Sequence, residues 1–277
     1  MTVFFEQLAA FFSLGFVVRA LIVGALVSLC AALLGVPLVL KRYSMIGDGL
    51  SHVGFASVAI AAALGAADVQ LYISIPVVVL AAFLLLRLGQ SGRVKGDAAI
   101  GIIATLSLAI GYIVLYCAGT NVDISNYMFG NMFTISKADA VFSIVVATAV
   151  ILLYLLFYHK LFAITFDETF ARAGGIPVSL YNTIIAVLTA VTVVVGMRMM
   201  GTLLISALVI FPALTAMRVC KSFKGVVVTA AAVSVTCFFV GTVAAHFLNF
   251  PAGSTVVATN GIAFALFSIP GILKKKA

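Results

Sequence analysis

The sequence predicts an all-α polytopic membrane helix bundle of about eight to nine transmembrane helices, N-terminus outside and C-terminus cytoplasmic. Apolar residues fill 64% of the 277 positions and charged residues 9%, a balance that no water-soluble domain of this length places without covering its surface in hydrocarbon. Uncharged runs recur along the whole chain, each near or above the ~18–20 residues that cross about 30 Å of hydrocarbon as a helix. The basic residues fall unevenly between the connections.

The runs are Ala20 to Leu40, Gly49 to Ala67, Val69 to Leu86, Ala98 to Val122, Ala140 to His159, Ala173 to Met197, Met199 to Met217 and Gly225 to Leu273. The last is too long for one crossing, and Asn249-Phe250-Pro251-Ala252-Gly253 divides it, because Pro and Gly together mark a turn. Nine spans result. They are helices and not barrel strands, since period-two alternation is missing and backbone groups in lipid must pair within their own segment. The N-terminus lacks the basic flank and small-residue cleavage site of a secretory signal, so the first span is expected in the mature protein. Residues 1–277 show no compositional break, and the connections Gln90 to Asp97, Gly119 to Asp139 and Lys160 to Gly175 are too short for a soluble domain. A single transmembrane domain is expected.

Threading nine spans from an external N-terminus puts Lys41, Arg42, Arg87, Arg93, Lys95, Lys160, Arg172, Arg218, Lys221, Lys224 and Lys274 to Lys276 inside, and only Arg19, Lys137 and Arg198 outside. That asymmetry is what the positive-inside rule describes. The net charge of +8 therefore reports orientation in the membrane, and no nucleic-acid partner is expected. Cys30, Cys117, Cys220 and Cys237 are isolated in apolar runs with no CxxC pair, and read as buried small hydrophobes. No Gly-rich loop ends in Gly-Lys-Ser or Gly-Lys-Thr, so any ATP hydrolysis is expected in another polypeptide.

The most informative segment is Ser44-Met45-Ile46-Gly47-Asp48-Gly49-Leu50-Ser51-His52-Val53-Gly54. Asp48 and His52 share one helix face about 6 Å apart, and counting from Lys41-Arg42 at 1.5 Å per residue places them roughly 9 to 15 Å into the membrane. A carboxylate there costs at least ~2.5–3.5 kcal/mol unless paired or facing water. Carboxylate and neutral imidazole form a natural ligand pair for zinc or manganese. A structural Asp–His hydrogen bond and a proton relay are the other readings the spacing allows. Two ligands are too few for a closed site, so other helices or water must complete it. Gly47, Gly49 and Gly54 suit either close packing or a broken helix. His159 is expected to be solvated at a helix end and His246 to be structural near the outer turn. Asp123, Asp139, Asn126 and Asn131 are ambiguous and stay outside the site.

Between the fifth and sixth spans runs Phe166-Asp167-Glu168-Thr169-Phe170-Ala171-Arg172-Ala173-Gly174-Gly175-Ile176-Pro177. Asp167 is placed as an N-cap, Glu168 and Arg172 as an i, i+4 pair, and Gly174-Gly175 with Pro177 as the stop. A short helix on the cytoplasmic face is expected, which suits either an ordinary connector or a protrusion that a motor domain pushes.

These segments, with Lys41-Arg42-Tyr43 before the Asp48–His52 pair, Asp97-Ala98-Ala99-Ile100-Gly101-Ile102, Tyr127-Met128-Phe129-Gly130-Asn131, Met200-Gly201-Thr202-Leu203-Leu204-Ile205-Ser206 through Phe211-Pro212-Ala213, and Pro251-Ala252-Gly253, resemble the permeases of ATP-binding-cassette importers for zinc, manganese and iron over nearly the whole chain. The resemblance implies a homodimer of this chain with two cytoplasmic ATP-binding subunits docked on the 167–175 loop, where Asp167, Glu168, Ala171 and Gly174 map, and an extracytoplasmic metal-binding protein. It implies no permanently bound cofactor, only a transported divalent metal whose path Asp48 and His52 line. Asn121-Val122-Asp123 ahead of Tyr127 looks more like the zinc members. Val53-Gly54-Phe55-Ala56 departs from the family pattern, in which Ala and a further Gly are common. The expected function is ATP-driven import of a divalent metal, zinc before manganese or iron. A proton-coupled secondary carrier using the same pair is the rival.

Overall fold

The computed structural model describes residues 11–65, 70–90, 96–119, 128–130 and 132–273. Asp68, Arg93, Lys95, Asn121 to Tyr127, Asn131 and Lys274 to Lys276 therefore lie outside the described residues. Among the described residues ten α-helices occur in order: α1 Gly15–Leu40, α2 Ile46–Ala63, α3 Gln70–Gln90, α4 Gly96–Cys117, α5 Lys137–Phe166, α6 Glu168–Ala173, α7 Val178–Met200, α8 Thr202–Val219, α9 Phe223–Leu248 and α10 Ala252–Leu273. Among the described residues eight of these helices, α1, α2, α4, α5 and α7 to α10, are long and apolar enough to cross a membrane. The ninth expected span is α3, of which the described side chains from Ile73 to Leu85 form an apolar helix.

Helix ends obey local chemistry. Ser136 accepts from the Asp139 N–H at 3.0 Å to start α5, and Ser222 accepts from the Gly225 N–H at 3.2 Å to start α9. The end of α1 is a Schellman turn: Tyr43 N–H donates to Leu38 O and Arg42 N–H to Val39 O, with Arg42 at φ 63°. The same pattern closes α6, where Ile176 N–H donates to Ala171 O, Gly175 N–H to Arg172 O, and Gly175 sits at φ 79°. α5 runs past the expected end at His159 to Phe166. Leu161 and Ile164 are fully buried there, so packing carries the helix beyond exposed Lys160.

α1 is the central post, touching α5, α7, α8 and α9, while α2 packs on α3, α4, α7 and α8, and α10 covers α8 and α9. Of α1's span 72% is buried in protein, against 17% of α10's. Without a hydrophobic force between helices in lipid, small side chains and interhelical hydrogen bonds matter. A methyl on Gly35 would collide with the Val209 carbonyl of α8, Ser234 Oγ donates to Ser28 O at 2.9 Å between α9 and α1, and the Ser57 and Ser74 hydroxyls meet at 2.7 Å between α2 and α3. Cys30 and Cys237 are buried and Cys220 is half-buried, but Cys117 is exposed. It lies on the outward side of α4 with Ile113 and Tyr116, because in a membrane an apolar residue need not be covered by protein to leave water.

Candidate functional site

The first turn of α2 comes only five residues after the end of α1, and Ile46 N–H donates to Tyr43 O and Gly49 N–H to Met45 O, so the backbone is hydrogen-bonded through the corner. From Ile46 to Ser57 only Asp48 and His52 escape burial. Their side chains are 31% and 21% exposed. Gly47 and Gly49 pack this helix: a methyl on Gly47 would rest 3.5 Å from Val209 Cγ2 of α8, and one on Gly49 would press to 2.6 Å on Ile100 Cγ2 of α4. Close approach on those two faces leaves the Asp48–His52 stripe as the open one.

His52 Nε2 lies 3.6 Å from Asp48 Oδ2, too long for a good hydrogen bond. An ion bonded to both at about 2.1 Å would see them at an angle of roughly 120°. The other oxygen, Asp48 Oδ1, is 3.3 Å from Ser206 Oγ of α8, which also lies 3.0 Å from Thr202 O. One hydroxyl proton can serve either acceptor. Ser206 is not among the site residues that the sequence singles out. It is one of three hydroxyls in an apolar span, with Thr202 and Thr215, and hydroxyls in such spans commonly bond their own helix, as Thr189, Thr192 and Thr242 do. Among the described residues no cluster of three or more His, Cys, Asp or Glu forms. Asp48 and His52 thus stand as a pair from one helix, with a hydroxyl from a second.

His246 stacks on Phe11 with ring centroids 4.2 Å apart, and exposed His159 sits edge-on to Tyr158 at 5.5 Å. Neither forms part of the Asp48–His52 pair. Asp139 pairs with Arg198 at 3.4 Å beside a cavity of about 220 Å³ also lined by Thr134, Ser143 and Met199, away from Asp48. Asp123, Asn126 and Asn131 lie outside the described residues.

The 167–175 loop contains the expected short helix, α6. Asp167 caps it, accepting from the Phe170 N–H at 2.9 Å. Glu168 does not make an ion pair with Arg172 within 4 Å; its Oε1 instead takes the Lys41 ammonium at 2.8 Å and the Asn182 Nδ2–H at 3.1 Å. Arg172 acts on it only as a nearby charge. Lys41 also donates to Asn182 Oδ1. Burial drives the Lys41 ammonium below its ordinary value, against the hydrogen bond and charge of Glu168. Burial raises Glu168, but hydrogen bonds from Lys41 and Asn182 and the charges of Lys41 and Arg172 outweigh it and hold the carboxyl low. The partners respond differently because the Lys41 side chain is 11% exposed and that of Glu168 44%. Ala171 is buried, Gly174 is exposed, and the outward side of α6 carries Thr169, Phe170 and Arg172, with Phe170 75% exposed.

A sequence model of the ABC 3 transport family matches residues 13–270. The chain is 30% identical over 250 residues to the manganese import system permease protein ScaB of Streptococcus gordonii, covering 90% of this chain and 89% of that protein. It is 28% identical over 281 residues to the chelated iron transport system membrane protein YfeD of Yersinia pestis, covering 99% and 92%. The structure of PsaBC from Streptococcus pneumoniae in complex with Fab superposes with a TM-score of 0.83 at 30% identity, over 95% of this chain and 94% of that one.

Proposed function

Because the chain belongs to the ABC 3 transport family, as the membrane permease subunit of a metal importer whose ATPase is a separate polypeptide, we propose that Asp48 and His52 form the station through which the ion crosses. The protein is a multi-pass protein of the bacterial inner membrane. One observation carries the reading: on a helix otherwise buried from Ile46 to Ser57, the open positions are a carboxylate and an imidazole 3.6 Å apart. A bound cation removes the cost of a carboxylate at that depth, and water on the open side completes a shell that two side chains cannot close. Such a shell lets the ion leave, as transport requires.

For the ion itself, manganese is a better expectation than the zinc suggested by Asn121-Val122-Asp123, which lie outside the described residues. Several relatives are named for manganese, and YfeD for chelated iron. The donors within reach are a carboxylate, an imidazole and the Ser206 hydroxyl, with no thiolate, a set that suits manganese. The partners we assign are an ATP-binding subunit docked on α6, an extracytoplasmic metal-binding protein, and a second copy of this chain, the whole chain acting as one permease domain with its C-terminus in the cytoplasm. On α6 the docking contacts fall to Thr169, Phe170 and Arg172, while Asp167, Glu168, Ala171 and Gly174 cap, brace, seat and end the helix.

The test is uptake of manganese(II) and zinc(II) by proteoliposomes holding the complete complex. Asp48→Asn is expected to lower ATP-dependent manganese uptake by about 10- to 100-fold or more with the ATPase still co-purifying. Unchanged uptake removes the site, and uptake driven by a proton gradient with the ATPase omitted removes the importer mechanism.

A further inference from the structure

We infer that Lys41 is a positioning residue that ties α6 rigidly to the turn carrying Asp48, so that displacement of α6 moves the metal station. The inference rests on the reading of α6 as the ATPase dock. Lys41 is the C-cap of α1, and its side chain is 11% exposed, with the ammonium bound to Glu168 at 2.8 Å and to Asn182. Asn182 in turn donates to the same Glu168 oxygen, so three helices, α1, α6 and α7, close on one nitrogen. The geometry is more than a pair of charges meeting at a surface, since all three groups satisfy one another and Asn182 is buried.

The chain just beyond Lys41 connects this knot to the ion pathway. The bonds from Tyr43 to Leu38, Ile46 to Tyr43 and Gly49 to Met45 run in succession from the end of α1, where Lys41 sits, into the first turn of α2. α6 is equally stiff: Asp167 caps its start, the Gly175 turn closes its end, and Ala171 is buried beneath it. A push on the outward Phe170 side reaches Glu168 within one helical turn, passes to Lys41, and arrives at the corner that holds Asp48 and His52. Hydrogen-bonded elements of this kind carry coupling between separated sites when they have two discrete arrangements. Neither Glu168 nor Lys41 needs to touch the ATPase or the ion.

The experiment compares metal moved with ATP consumed, in proteoliposomes of the full complex loaded with manganese(II). For Lys41→Met and Glu168→Gln we expect a complex that keeps its ATPase subunit and hydrolyses ATP, with manganese moved per ATP falling about fivefold or more. The exchanged pair Lys41→Glu with Glu168→Lys is expected to recover at least half of that loss. A merely structural role lowers assembly, hydrolysis and uptake together and leaves the ratio unchanged. An unchanged ratio in Lys41→Met, or an exchanged pair no better than the single variants, overturns the inference. Phe170→Glu checks the dock separately. Retention of the ATPase by that variant removes the docking surface, and the inference with it, by a route that the Lys41 ratio does not share.

Discussion

At the Lys41 end of the bundle three helices are joined through side chains, by an ammonium, a carboxylate and an amide. At the Gly201 end three chain segments meet backbone to backbone. Gly201 at φ 84° turns α7 directly into α8, Gly130 at φ 71° faces it, and Gly253 of α10 abuts the Phe129 carbonyl. The first junction transmits force but can be dismantled one group at a time. The second has no side chain to remove, and adding one drives main chain apart. This contrast accounts for why Met128-Phe129-Gly130, Met200-Gly201 and Pro251-Ala252-Gly253 stand out in the sequence without carrying any donor or charge.

The largest stability loss is therefore expected at Gly201. A methyl there would lie 2.5 Å from Gly130 N and 2.6 Å from Phe129 C, and the positive φ is strained for any L side chain, so Gly201→Ala costs about 3 kcal/mol or more. Thermal unfolding of the purified permease in detergent measures it, and a melting temperature close to wild type breaks the comparison. At the other junction Lys41→Met leaves Glu168 without its cation but half open to water, so the loss is smaller, about 1–2 kcal/mol, read in the same assay.

Two adjacent glycines sharpen the point on α6. Gly175→Ala should destabilise by about 1–2 kcal/mol because of its left-handed φ of 79°. Gly174→Ala should be neutral or stabilising by up to about 1 kcal/mol, its new methyl meeting nothing closer than 3.5 Å. The smallest effect is in pH. Glu168's carboxyl is held below its ordinary value of 4.5, so the folded state binds that proton more weakly than the unfolded chain. Its contribution is present above that value and is lost as the pH falls through the lowered folded one. Wild type should lose more stability than Glu168→Gln when the same melts are repeated from pH 6 into that acid range, and parallel losses would deny the brace.

Much of this is legible in the chain. Uncharged runs reveal the spans because length and hydropathy are local quantities, and Asp48–His52 stands out because i, i+4 spacing fixes a shared face. Asp167 is readable as a cap for the same reason. Spacing pairs Glu168 with Arg172 wrongly, since its true partner is 127 residues distant and no periodicity announces it. Ser206 is hidden likewise, 158 residues from Asp48. Cys117 is expected inside because apolarity reports absence of water and does not say whether lipid or protein replaces it.

Composition and short-range spacing are enough to establish that the chain lives in a membrane, crosses it many times as helices, and carries one carboxylate–imidazole pair where charge is expensive. Solvent and helix geometry act on those local quantities directly. It takes the packed bundle to show that this pair is the open stripe of a buried helix, that Ser206 stands beside it, and that Lys41 links its turn to α6. Such facts depend on which helices lie side by side, and that is set by close packing at Gly35, Gly49 and Gly201, where the absence of a side chain is the informative feature.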